Sequence, residues 1–501
     1  MKVVEVDTLF SRFRTIVERF PEHSAIVEDS RRISYRALLD SVQAVAAMLL
    51  STGVRRGDAI AVVLPNGRHF VTTFLAIAQV GGIALPLNPS LRELELTHVM
   101  RDAKVSLAVT SRELRPKCAA ALSSATGQRT EAVVALEESP PPQEVCETQR
   151  KGEMSSGEEA QPFEPALYLY SSGSTGLPKR VARTHFNLLY EVDRLIEALN
   201  LNPSDRVLGV APFSHTNGLI RSMIASVLSG ATLVPVAQFE RRTVGRLVER
   251  DAATVFIGVP FMFAMLAETR WPQPVNLSSL RLCISSSAPL PPVVSRRFHK
   301  QYGIYVRQLY GTTETGTISA NLSAEPENFL DSVGRPLEGL EVEVFSEDRR
   351  GVEIGEVGEI GIKSPAAAKQ YSGSEGESNR AFWNGYFFPA DIGRKNKDGQ
   401  IYLVGRKSLF INRGGYKVSP YEVEALLQEH PKVLEAGVVG VDTAYGDQKI
   451  KAVIVLAEPC EESDIIEYCK TRIAEFKIPS IVEFRARLPK GPTGKILRKE
   501  L

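Results

Sequence analysis

The strongest constraint on the fold is the alternation of two hydrophobic periods in the first third of the chain. Ser34 to Gly53 spaces apolar residues as a helix does, Ala59 to Leu64 is a short β-rich run, and Phe70 to Gly82 returns to the helical period. A helix between apolar strands carries the chain from one strand to the next, so this order predicts an α/β unit around a largely parallel sheet. At 501 residues the chain exceeds one ordinary core and divides into two to four units of roughly 100 to 200 residues each. Two further buried strands, TVFIGVP and LRLCISSSAPL, end in small residues, and open α/β sheets place ligands at such carboxyl ends.

The pattern changes twice downstream. Between Gly334 and Pro365 short β runs and turn residues predict a small β subdomain, and near Lys407 a new unit begins in which LEAGVVGV, KAVIVLA and EESDIIEYCKTRIAEF read as strand, strand and helix. The chain is therefore expected to be an α/β protein. It has a large N-terminal domain (1–405) of α/β subdomains with a small β subdomain, and a small α+β C-terminal domain (406–501) joined by a hinge. Glu137 to Pro165, polar and proline-bearing without periodicity, reads as a surface excursion.

Charge and cysteine content narrow the function classes. The 60 basic and 59 acidic residues nearly cancel, which gives no support for a nucleic-acid partner. Five scattered cysteines (Cys118, Cys146, Cys283, Cys460 and Cys469) show no CxxC spacing and suit a reducing compartment. The N-terminus lacks a continuous apolar segment, and no run approaches the roughly 18 apolar residues of a membrane helix, so a cytoplasmic location without an integral membrane segment is expected.

The chemistry concentrates in a few segments. In YLYSSGSTGLPKR (Tyr168 to Arg180) an apolar strand runs into a loop in which Gly173 and Gly176 free the backbone, Ser171, Ser172, Ser174 and Thr175 offer hydroxyls, and Lys179 brings a point charge. Such a loop can wrap an oligophosphate, and a solvated Gly/Ser linker is the plainer alternative. The spacing is not the NTPase pattern GxxxxGK[ST]. Further on stand APFSHTNGLIRS (Ala211 to Ser222), QLYGTTETG (Gln308 to Gly316), GYFFPADIG (Gly385 to Gly393), YLVGRKSLFINRGGYKVSPYEVE and the terminal LPKGPTGKILRKEL.

In this order these motifs resemble those of the adenylate-forming superfamily, in its acyl-CoA synthetase (AMP-dependent ligase) branch. The resemblance runs from about Tyr35 to the end. It implies that the loop, with Ser171, Ser172, Gly173, Ser174, Thr175, Gly176 and Lys179, holds the phosphates of ATP, Thr175 also taking part in catalysis. Ser287, Ala288, Gln308, Leu309, Tyr310, Gly311, Thr312 and Thr313 would surround the nucleotide, with Tyr310 over the adenine and Glu314 binding Mg2+. Thr312 to Glu314 also suit a helix start. Asp391 would grip the ribose hydroxyls with Arg406 beside it, unless Arg406 is a plain surface arginine. Gly414 and Gly415 would line the path of coenzyme A, or form a simple turn, and Lys417 would face the adenylate.

The resemblance further implies that Lys495 is the catalytic lysine, bridging the attacking carboxylate and the α-phosphate, where a basic tail is otherwise solvated charge. His215 would close off the acid's carboxylate, its alternative being a structural histidine. Arg221, Phe261, Phe263, Ser286, Ser287 and Leu309 are candidates for the acyl pocket. Arg221 either turns outward from a helix or, buried, wants a carboxylate or hydrogen-bonding tail. Three departures stand out: Pro389 and Ala390 where the family has a hydroxyl and then glycine before Asp391, Ser408 where the hinge has Asp or Lys, and Arg180 where glycine follows the lysine.

The activity implied is ATP-dependent conversion of a carboxylic acid (fatty, aryl or dicarboxylic) to an acyl-adenylate with release of pyrophosphate, then transfer to coenzyme A with release of AMP. Transfer to a carrier-protein phosphopantetheine thiol and a non-catalytic adenylate-binding role are the alternatives, and a homodimer stays open. An amino-acid substrate is disfavoured because no acidic residue lies near Phe213 and Ser214 to pair an ammonium.

Overall fold

The computed structural model describes residues 7–127, 132–136, 160–171, 179–369, 381–413, 416–443, 448–491 and 494–501, without the side chains of Ser171, Ser408, Tyr416 and Lys417. The alternation in the first third becomes helix Tyr35–Ser51, strand Ala59–Val63 and helix Arg68–Gln79. The first of these helices begins where the Ser34 hydroxyl accepts the Ala37 N–H at 3.2 Å. It buries Leu38, Val42, Val45, Ala46 and Leu49 along one stripe, and full burial of such side chains is worth about 1.5–3 kcal/mol for each of the larger ones.

Two α/β sheets form the large domain. In one, the strands run Val133–Leu136, Val105–Ser111, Ala59–Val63, Ile83–Pro86, Pro165–Ser171 and Lys179–Thr184, parallel except for the last pair. That pair is antiparallel with Ser171 opposite Lys179. In the nine-stranded sheet the order is Arg335–Pro336, Gly316–Ala320, Val306–Thr312, Leu282–Ser285, Val255–Gly258, Arg206–Gly209, Thr232–Pro235, Ser24–Glu28 and Arg31–Ser34. Its middle is parallel and both edges are antiparallel. The helices between the sheets pack into one continuous core from Leu9 to Leu337. Tyr35, fully buried, ties into it by donating its hydroxyl to the Ala231 carbonyl at 2.8 Å.

The predicted β subdomain is an antiparallel sheet in which Glu341–Phe345, Gly358–Lys363, Asp391–Lys395 and Ile401–Arg406 are the main strands. The small C-terminal domain has its own core around Val423, Leu427, Val438, Ile450 and Ile465. Strands Val433–Asp442 and Gln448–Leu456 pair antiparallel, and helix Glu462–Lys470 returns the chain to Ile481–Phe484, parallel to the second strand. Of the predicted surface excursion, residues 137–159 lie outside the described residues. No helix among the described residues is long and apolar enough to cross a membrane.

Candidate active site

The carboxyl ends of the parallel strands in the nine-stranded sheet form one rim, where the site assembles. Strand Val306–Thr312 brings Tyr310 and Gly311 to it and turns back into Gly316–Ala320. Gly316 takes φ 76°, the left-handed region this return needs, and a side chain there would overlap the Glu191 carboxylate. Thr312 Oγ1 accepts the Thr315 N–H at 3.1 Å. The TTETG segment is thus a hairpin tip and not a helix start, with the Glu314 side chain buried in it.

Behind the tip lies a chain of polar contacts. Arg183, fully buried, donates through Nη1 to the Thr313 carbonyl at 3.1 Å and through Nη2 to Glu191 Oε2 at 3.0 Å. Glu191 Oε1 accepts both the N–H and the hydroxyl of Thr317, each at 2.8 Å. The Thr317 hydroxyl in turn accepts from Arg221 Nε at 3.0 Å, and Arg221 Nη1 donates to Ser286 Oγ at 2.8 Å. Sequence reasoning passed over Arg183 and Glu191, although a signal was there. Arg183 shares the inward face of its strand with buried Val181, and Glu191 falls on the helix stripe of Leu188, Val192 and Leu195.

Opposite the hairpin, Tyr310 donates its hydroxyl to Asp391 Oδ2 at 2.6 Å, and Arg406 Nε donates to Asp391 Oδ1, also at 2.6 Å. Asp391 and Arg406 are cross-strand partners. Burial, and then the Asp391 charge, holds the Tyr310 phenol well above its ordinary pKa. Burial works against the Arg406 charge, but the carboxylate beside it more than offsets this and raises its pKa. Arg406 is therefore engaged in an ion pair inside the site. The residue before Asp391, Ala390, has φ 64°, which explains why glycine suits that place.

The last residues complete the site. Gly494, at φ 76°, packs against the Phe261 ring so closely that a Cβ would overlap it, and Lys490 Nζ lies 4.7 Å from the centre of the same ring. Lys495 follows in a solvent-accessible position. The protein crowded around its ammonium, then the Arg406 guanidinium, lowers its pKa; Arg221 adds to this while Asp391 and Glu314 oppose it. Half-buried His215 is lowered to about 4 by desolvation and then by the Lys495 charge, so its ring is neutral at pH 7. The charges of Arg221, Glu314, Asp391 and Arg406, drawn from four separate motifs, therefore act on Lys495, and the Lys495 charge acts on His215.

Sequence profiles extend this convergence to whole domains: one for AMP-binding enzymes matches residues 13–372 and one for the AMP-binding enzyme C-terminal domain matches residues 422–495. The chain belongs to the AMP-binding enzyme family.

Relatives of this AMP-binding enzyme include the long-chain-fatty-acid–CoA ligase of Bacillus subtilis, 29% identical over 99% of this chain and 94% of that one. The oxalate–CoA ligase of Arabidopsis thaliana is 31% identical over 99% and 98%. The ATP-bound crystal structure of MatB from Rhodopseudomonas palustris superposes with a TM-score of 0.88 at 25% identity, covering 98% of this chain and 97% of the other.

Several expected site residues of the AMP-binding enzyme have other neighbours. Gln308 is buried with its amide engaged, Oε1 accepting the Leu290 N–H at 3.0 Å and Nε2 donating to the Leu330 carbonyl at 2.9 Å. Leu309 is part of the core shared by the two α/β sheets. Phe263 packs in the other core, tilted against Phe256 and edge-on to Phe298, and Phe261 faces the C-terminal segment. Ser287, at φ 73°, and Ala288 follow strand Leu282–Ser285 at the rim. Arg180 lies over the Tyr168 ring at 5.0 Å and donates to the Asp102 carbonyl at 2.8 Å. Ser172, Gly173, Ser174, Thr175, Gly176, Gly414 and Gly415 lie outside the described residues, as do the side chains of Ser171 and Lys417.

Proposed function

We propose that the chain is a carboxylic acid–CoA ligase that makes an acyl-adenylate from ATP and an acid, releases pyrophosphate, and passes the acyl group to coenzyme A with release of AMP. The observation that carries this reading is the arrival of the terminal segment at the site: Gly494 packs on Phe261, the charges of Arg221, Glu314 and Asp391 act on Lys495, and the Lys495 charge acts on His215. Membership of the AMP-binding enzyme family and the CoA ligases among its relatives support it.

In the first step a carboxylate oxygen attacks the α-phosphorus and the bond to pyrophosphate breaks. Negative charge builds between the acid and the phosphate, where the Lys495 ammonium is placed to stabilise it. A neutral His215 ring can stand against the acid's carboxylate without adding a second cation. Asp391, bonded on one lone pair of each oxygen to Tyr310 and Arg406, has lone pairs remaining for the ribose hydroxyls. Glu314, with the oxygen-rich Thr312, Thr313 and Thr315 around it, fits a hard cation such as Mg2+ that would neutralise phosphate charge. Lys179 starts a strand paired with the one before residues 172–178, as a phosphate-holding loop requires. In the second step the CoA thiolate attacks the acyl carbonyl and AMP leaves.

The domain boundary at residues 405 and 406 belongs to the same reading. The link is a single 3-10 turn, Lys407–Leu409, and the Lys407 N–H bonds back to the Ala390 carbonyl at 2.8 Å. A few torsions there can swing the C-terminal domain between the two steps. The four cysteines among the described residues, Cys118, Cys283, Cys460 and Cys469, are free, in accord with a reducing, cytoplasmic setting.

Acid-dependent ATP/pyrophosphate exchange tests adenylation. AMP release on adding coenzyme A, compared with a phosphopantetheinylated carrier protein, tests the acceptor. Exchange absent with every acid of a broad panel would sink the ligase reading. The relatives named above act by name on acids as unlike as a long-chain fatty acid and oxalate, so family membership leaves the acid open.

A further inference from the structure

Two buried guanidiniums in this molecule share one buried carboxylate. Arg183 and Arg221 are both buried in the core beside the site, and Glu191, equally buried, pairs directly with Arg183 and reaches Arg221 only through the Thr317 hydroxyl. Among the described residues Arg221 makes two hydrogen bonds, both to neutral hydroxyls, while its Nη2 is buried with no hydrogen-bond partner. Burying an unmatched charge is costly, so a stable fold that keeps one has a use for an anion at that place.

The local backbone is shaped to put the guanidinium there. Asn217–Ile224, which carries Arg221, is a π-helix, a form frequent at functional sites, and it begins two residues after His215. Gly311, next to Tyr310 on the nucleotide strand, leaves the space Nη2 occupies; any Cβ at Gly311 would overlap it. Ser286 Oγ, having accepted from Nη1, keeps its own proton to donate. Arg221 is also near enough to Lys495 for its charge to act on that ammonium.

We propose that Arg221, with Ser286, determines acid specificity by binding a second anionic group, so that the substrate is a short dicarboxylic or sulfonated carboxylic acid with its reacting carboxylate at Lys495 and its far anion at Arg221. This rests on the ligase reading above. It separates a small dianion from the fatty and aryl acids, since an apolar tail would leave the guanidinium buried and unpaired. The α-phosphate of ATP is the other anion within the same site, and the experiment distinguishes the two.

The test is ATP/pyrophosphate exchange with acids matched in length but differing at the far end: carboxylate, sulfonate, carboxamide and methyl. The wild-type chain is expected to favour the carboxylate or sulfonate over the methyl analogue by about 100-fold or more in kcat/KM, because a site built for a polar group rejects its apolar isostere strongly. Arg221→Leu should lose at least that factor on the diacid and reverse the preference, with the KM for ATP changed little. Equal loss on all acids with a raised KM for ATP would assign Arg221 to the phosphate and overturn the proposal. Wild-type preference for the methyl or carboxamide acid would overturn it without any variant, while leaving the ligase reading intact. Exchange with no acid at all would overturn both.

Discussion

Tyr310 and Asp391, 81 positions apart, meet in a 2.6 Å hydrogen bond that joins strand Val306–Thr312 of the large sheet to the β subdomain. Both side chains are buried, and Arg406 completes the group from the last strand before the C-terminal domain. Tyr310→Phe keeps the ring but leaves a buried carboxylate oxygen without this donor. We expect a loss of about 1–3 kcal/mol of stability, read as a lower midpoint in urea unfolding at an unchanged slope.

Lys495→Ala should lower acid-dependent ATP/pyrophosphate exchange by about 100-fold or more, the scale seen when one charge-stabilising donor is removed. Thioester formation from supplied acyl-adenylate and coenzyme A should persist. Equal loss in both assays would count against a role confined to the first step.

Ala390 offers a test in the stabilising direction. Its φ of 64° costs a residue with a Cβ about 1–2 kcal/mol, while glycine adds up to about 1 kcal/mol of unfolded-chain entropy to be lost. Ala390→Gly should therefore gain between zero and about 2 kcal/mol, measured by equilibrium unfolding. A loss of stability would show that the alanine methyl packs usefully.

His185 makes stability depend on pH. It is buried, its Nδ1 accepts the Leu9 N–H at 3.2 Å, and desolvation lowers its pKa to about 4 although Glu164 opposes this. The unfolded chain, with histidine near 6.5, binds the proton first as pH falls. The stabilisation is complete above about pH 6.5 and is lost as pH drops toward 4, on the order of 3 kcal/mol in all. Unfolding titrations of wild type and His185→Gln should diverge in slope across that window and nowhere above it.

The Arg183–Glu191 pair predicts a coupled result. Glu191→Gln strands two buried guanidiniums and should cost about 3–5 kcal/mol. Arg183→Met in the same background should recover part of that loss, a coupling measured by a double-mutant cycle on chemical denaturation.

The legible part of this molecule was whatever local pattern encodes. Apolar period sufficed for the helices and parallel strands of the first third, because each element must bury one stripe or face whatever its neighbours in the chain are. The motifs likewise marked Glu314, Asp391, Arg406 and Lys495 as residues of one site. Local pattern left Thr312 to Glu314 open to a helix start as well, since capping chemistry and a hairpin tip use the same hydroxyls; pairing with Gly316–Ala320 excluded it.

What the sequence by itself determined was the family, the layered α/β plan and the reactive residue types. Only the tertiary structure decided which polar groups stand unmatched. Arg221 read as an outward arginine or a buried one until its neighbours were in place, and the side-chain partners of Gln308, the Leu290 N–H and the Leu330 carbonyl, come from elsewhere in the chain. The physical reason is that charge balance is a property of all groups around a buried site. The hydroxyls of Thr317 and Ser286 and the single carboxylate of Glu191 reach Arg221 from segments 30 to 96 residues away.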